Sequence, residues 1–174
     1  ECGLDAVELQ TWHFRRIQVL AASTPDALLC ETIPSLAEAR ALSAAVRQVT
    51  DFATSAERRP PVIMSFTVAG GALRSGESLA DAAHIAAATP GIIAIGVNCS
   101  SASDATTALR AFRDASDLPL IVYPNSGEVW NAQTRSWAGS AHSLVSYVDE
   151  WTALGARLIG GWCRDDTVGL EQVA

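Results

Sequence analysis

Five apolar runs rich in β-branched residues punctuate the chain, at 27–33 (ALLCETI), 62–67 (VIMSFT), 92–99 (IIAIGVNC), 120–124 (LIVYP) and 157–163 (RLIGGWC). They are continuously hydrophobic rather than alternating, the pattern of parallel strands covered on both faces. Their starts recur at roughly 30-residue intervals, the length of one strand–helix unit. Between them the apolar positions shift to helical spacing. An opening helix is expected from Asp5 to about Ala22. A second covers LAEARALSAAVRQV after Pro34-Ser35, where Ser35 and Glu38 have the spacing of a capping box. Further helices are expected over 79–88, 103–115 and 141–154, the last closed by Gly155 as a C′ glycine. Turn signals lie between elements at Arg59-Pro60-Pro61, Thr89-Pro90-Gly91 and Leu118-Pro119.

The expected order is therefore α(βα)4β, an α/β fold of about five parallel strands in a single domain over residues 1–174. A closed (β/α)8 barrel needs roughly 250 residues and eight strands, so five are three short of closure. An open doubly wound sheet fits the same length. Periodicity alone leaves both architectures open.

Composition narrows the chemistry. Apolar types make up 49% of the 174 residues, enough for one core. No apolar run approaches the ~20 residues needed to cross a bilayer, so no membrane partner is expected. The opening Glu1-Cys2-Gly3-Leu4-Asp5 does not resemble a basic export leader, which makes the cytoplasm the expected compartment. The net charge is −7 and no basic cluster occurs, which sets nucleic acid aside. All 12 basic residues are arginines. The absence of lysine removes Schiff-base catalysis, a phosphate-loop lysine and a lysine general base together.

In parallel α/β folds, functional groups gather at the carboxyl ends of strands. Here those ends carry Glu31-Thr32, Ser65-Phe66-Thr67, Asn98-Cys99, Tyr123-Pro124-Asn125 and Gly161-Trp162-Cys163. Thiols ending two strands, one strand apart, can meet above a sheet and would suit Zn2+. They can equally be buried apolar thiols or a redox pair. Cys30 is expected to face the helices, opposite Glu31. His13, His84 and His142 fall in helical segments and are expected to be packing or surface residues.

Five of these segments, ETIPSLAEARAL, the SFT run, GVNCS, VYPNSGEVW and GGWCR, together resemble the homocysteine S-methyltransferases in order and spacing. The resemblance implies a partial (β/α)8 TIM barrel with the N-terminal strands missing, this chain supplying strands four to eight. It also implies a zinc-dependent transferase of methionine biosynthesis. Such an enzyme moves a methyl group from a small donor, S-methylmethionine or S-adenosylmethionine, to the zinc-activated thiol of homocysteine. Carried over residue by residue, Cys99 and Cys163 match metal ligands and Glu31 matches the acid that binds the substrate ammonium. Asn98, beside Cys99, is expected to line the substrate cleft. The family's GGCC motif reads Gly160-Gly161-Trp162-Cys163 here, so an indole stands where a third sulfur is expected. No protein general base is expected, because the metal activates the thiol. The alternative is a catalytically impaired or non-catalytic barrel fragment, possible as a homo-oligomer or by strand complementation, since both sheet edges would be unpaired.

Overall fold

The computed structural model describes residues 3–52, 59–131, 133–140, 143–161 and 163. Trp162 and His142 lie outside the described residues. The chain opens with α1 (Ala6–Ala22) and continues β1 (Leu28–Ile33), α2 (Leu36–Phe52) and β2 (Val62–Phe66). A hairpin of β3 (Val68–Ala69) and β4 (Ala72–Leu73) precedes α3 (Leu79–Ala87) and β5 (Ile92–Asn98). Then follow α4 (Ala102–Ala115), β6 (Leu120–Tyr123), a second hairpin of β7 (Val129–Asn131) and β8 (Ser136–Ala138), α5 (Val145–Ala153) and β9 (Ala156–Ile159).

Helix starts follow local chemistry. Asp5 caps α1 by accepting from the Val7 and Glu8 amides at 2.8 and 2.9 Å, and Glu8 returns the bond to the Asp5 amide at 3.0 Å. Ser78 caps α3 and Ser101 caps α4, the latter two residues earlier than the sequence suggests. At α2 only half of the expected capping box forms: Ser35 Oγ accepts from the Glu38 amide at 3.2 Å. Glu38 instead places a carboxylate oxygen 3.2 Å from His13 Nε2 on α1. Glu77, from the loop before α3, takes the Leu36 amide at 2.6 Å and so completes the cap. Its carboxyl is held below the ordinary range, first by the Ser75 hydroxyl and then by that amide. The expected C′ glycine is present, with Gly155 at φ +97° after α5.

The five long strands form one parallel sheet in the order β1-β2-β5-β6-β9. The order never reverses, and right-handed crossovers then place every helix on the same side. That excludes the doubly wound alternative and leaves consecutive units of a barrel wall. Cross-strand rows separate the two faces. The row Cys30–Met64–Ile95–Leu120–Ala156 meets the helices. Phe66, Leu109, Phe112 and Trp151 fill the core on that side. The row Ser65–Gly96–Ile121–Leu158 looks the other way, where no helix lies among the described residues. On that face Leu29 and Leu158, on the two edge strands, are 45% and 53% exposed. Continuous hydrophobicity along the strands thus reflects a barrel interior on one side, not helices on both.

Candidate active site

Cys30 and Ile33 both pack on the helix side, which strict alternation over three positions forbids. The register slips between them, a β-bulge that turns both intervening residues, Glu31 and Thr32, toward the open face. Thr32 takes φ +60°, a left-handed conformation rare for a β-branched residue. Cys99, just past β5, does the same at φ +50°.

Asn98 ties these strands together. It is fully buried, its Oδ1 accepting from the Thr32 amide and the Ser65 hydroxyl, each at 2.9 Å. Its Nδ2 donates to Thr32 Oγ1 at 2.7 Å. The side chain thus joins the ends of β1, β2 and β5. Thr32 Oγ1 in turn lies 3.9 Å from Cys99 Sγ as donor, and the Cys99 carbonyl accepts from Thr67 Oγ1 at 3.2 Å.

Glu31 is exposed on the rim and receives a hydrogen bond from Tyr123 Oη at 3.2 Å. Burial pushes the Tyr123 hydroxyl well above its usual pKa, and the charges of Glu31 and Cys99 push the same way against an opposing bond to Ser65. Tyr123 is therefore a neutral donor across the physiological range. Glu31 and Cys99, far apart in sequence, both influence this one hydroxyl.

The loop after β6 joins the second cysteine to the first. The Asn125 amide donates to the carbonyl of Ser100 at 2.9 Å, and the next amide, Ser126, donates to the carbonyl of Cys163 at 3.2 Å. Adjacent amides thus hold the backbones that carry Cys99 and Cys163. Both thiols are half-buried and free of disulfides. Asn125 Oδ1 is buried without a hydrogen-bond partner, an orphaned oxygen on the loop whose amides bind the Ser100 and Cys163 carbonyls. Among the described residues no cluster of three His, Cys, Asp or Glu side chains forms. By donor chemistry, two soft sulfurs and a carbonyl oxygen are of the type that suits a thiophilic cation.

This rim can be set beside known proteins. The family model described as homocysteine S-methyltransferase matches residues 2–174. The chain belongs to the homocysteine S-methyltransferase family. The homocysteine S-methyltransferase of Escherichia coli is 35% identical over 167 residues, covering 94% of this chain and 51% of that protein. Homocysteine S-methyltransferase 4 of Zea mays is 34% identical over 173 residues, covering 96% and 48%. The chain thus spans about half the length of the curated relatives it matches. The apo form of the homocysteine methyltransferase MmuM from Escherichia coli superposes with a TM-score of 0.79 at 31% identity, over 99% of this chain and 57% of that one. The metallated form gives 0.80 at 30% identity, over 99% and 52%. The homocysteine S-methyltransferase fold is therefore present here as five consecutive strand–helix units.

The sequence placed Glu31, Asn98, Cys99 and Cys163 at strand ends, and the structure puts all four at the carboxyl rim. Thr32 was missed, since a threonine in a strand gives no sign of a left-handed bulge. Ser65 and Asn125 carry a weak signal, being polar residues at the ends of apolar runs.

Proposed function

We propose that this chain carries the thiol-activating half of a homocysteine S-methyltransferase and that Cys99 and Cys163 hold Zn2+, with the Asn125 carbonyl as an oxygen donor in place of a third sulfur. The observation that carries this reading is the pair of adjacent amides, Asn125 and Ser126, which hold both cysteine-bearing segments against one loop. These two sulfurs and one oxygen would hold the ion, leaving room for the substrate sulfur as a further ligand. Zn2+ held there would lower the proton affinity of the homocysteine thiol and so favour its thiolate, the nucleophile, at neutral pH. Glu31 receives the substrate ammonium, and Tyr123 fixes the carboxylate through its neutral hydroxyl. Asn98 holds Thr32 and Ser65, keeping the rim's shape as substrate enters.

The donor is a small sulfonium, S-methylmethionine or S-adenosylmethionine. The homocysteine sulfur forms a bond to the methyl carbon while the S–CH3 bond of the donor breaks. The electron pair of that bond returns to the donor sulfur, which leaves as a neutral thioether, and methionine is the product. Positioning supplies most of the acceleration in such a transfer. The thiols require a reducing setting, which the cytoplasm provides.

A second reading has its own support. Strands β1 and β9 each have one sheet neighbour among the described residues, and Leu29 and Leu158 are exposed on the helix-free face. Further strands, from the same polypeptide or a second copy, would complete the wall and supply the rest of the donor site. The test is a methyl-transfer assay on reduced, zinc-supplemented protein with homocysteine and each donor. Glu31→Gln is expected to raise the KM for homocysteine roughly tenfold or more, with kcat less affected. Zinc-loaded protein that makes no methionine from either donor, while light scattering shows a folded monomer, would favour the non-catalytic reading.

A further inference from the structure

We propose that Thr32 is a positioning residue for the Cys99 sulfur, its hydroxyl set by Asn98 so that its proton points at Sγ. This rests on the reading of Cys99 as a metal ligand and goes beyond it, to the group that orients that ligand.

A hydroxyl has one proton to give. The Asn98 amide nitrogen donates into Thr32 Oγ1 at 2.7 Å, so the oxygen is occupied there as an acceptor. Its own proton is directed elsewhere, toward Cys99 Sγ as acceptor at 3.9 Å. Asn98 cannot turn to reverse this arrangement. Its Oδ1 is fixed by two donors, the Thr32 amide and the Ser65 hydroxyl, both at 2.9 Å, and the side chain is fully buried. The bonding order Ser65 to Asn98 to Thr32 to Cys99 therefore has one direction.

The backbone supports the same assignment. A β-branched residue at φ +60° is unfavourable, and here it sits at a bulge with its hydroxyl toward Cys99, itself at φ +50°. The bulge leaves the Thr32 amide without a ladder partner, and Asn98 Oδ1 supplies one. The fold retains a strained threonine where glycine or asparagine would sit more easily. Neither of those carries a hydroxyl on a short side chain that can reach Sγ. A donor to a ligating thiolate delocalises its charge and fixes its lone-pair direction, and loss of such outer contacts typically weakens metal binding by about 10–100-fold.

The test is Co2+ titration of the reduced chain, followed by the sulfur-to-cobalt charge-transfer band and by zinc competition, in wild type, Thr32→Ser, Thr32→Val and Thr32→Ala. Thr32→Ser is expected to bind within about threefold of wild type, and Thr32→Val at least about tenfold more weakly with an altered band. Melting of the metal-free proteins separates this from a fold defect. If Thr32→Val does not fold, Thr32→Ala gives the same comparison with the β-branch removed. Wild-type affinity and spectrum in the folded hydroxyl-less variants would overturn the role of Thr32 while leaving the metal reading intact. Absence of Co2+ and Zn2+ binding by wild type itself would overturn both.

Discussion

The two faces of the main sheet are made of alternate residues from the same strands, yet they are built on opposite rules. On the helix side, Met64, Phe66, Ile95 and Val97 are sealed under Leu109, Phe112 and Trp151, and tight apolar packing decides what is tolerated. On the other side Glu31, Ser65, Asn98 and Tyr123 are paired by hydrogen bonds, Ser65 with Asn98 and Tyr123 with Glu31, while Leu29, Ile63 and Leu158 supply the apolar part of the same face. Cys30 and Cys99 show the contrast in one residue type. Cys30 packs against the core, and burial pushes its thiol up to about 11. Cys99 stands at a strand end in a strained backbone, with a hydroxyl directed at it. Stability is concentrated on one face and chemistry on the other, and the bulge at Glu31–Thr32 lets one strand serve both.

That division can be tested by substitution on each side. Phe112→Ala, behind the sheet, removes a fully buried ring 5.8 Å from that of Phe66. It is expected to cost about 3–5 kcal/mol in denaturant unfolding. Gly96→Ala probes the middle of the open face, where an added Cβ would lie 2.0 Å from the Ile121 carbonyl oxygen. The β5–β6 pairing must yield, and a loss near 3 kcal/mol is expected by the same measurement. A cost below about 1 kcal/mol there would show that the strands can spread.

Alkylation at pH 8, read by mass spectrometry, sharpens the cysteine contrast. With its pKa raised from 9.0 to about 11, Cys30 holds roughly 100-fold less thiolate than an ordinary cysteine and is expected to label last of the three described cysteines. The sign for stability follows. A folded pKa above the unfolded one means that the contribution of neutral Cys30 is full below pH 9.0 and is lost as pH rises through about 11. Alkaline unfolding of Cys30→Ala should therefore be less steep in that window.

Asn98→Ala leaves the Thr32 amide and the Ser65 hydroxyl without their shared acceptor. A cost of about 1–3 kcal/mol is expected in denaturant unfolding. Leu158→Ala, 53% exposed, should change stability by less than about 0.5 kcal/mol in this chain. A loss above about 2 kcal/mol would mean that the open face is covered in solution.

Much of the fold is legible in the sequence because its signals are local. Four of the five long strands fall within their apolar runs and the fifth starts one residue before its run, while α1, α3 and α4 start beside Asp5, Ser78 and Ser101, whose side chains cap the backbone directly. The hairpins of Val68–Leu73 and Val129–Ala138 were not visible, being strands of two or three residues whose pairing depends on the loops around them. Glu38 read as a capping partner by spacing, but a buried histidine on α1 competes for its carboxylate. The site was legible as residue types at strand ends. Its geometry was not, because the bulge, the left-handed Thr32 and the direction of the Asn98 amide arise only when three strands meet.

The proposed activity requires that two thiols, Cys99 and Cys163, hold one ion at the rim. The direct measurement is zinc per chain by elemental analysis of reduced, untagged protein, in wild type, Cys99→Ser and Cys163→Ser. About one zinc in wild type, lost in both variants, is the expected result. Wild-type protein free of zinc after reduction and supplementation, or zinc that survives Cys99→Ser, would contradict it.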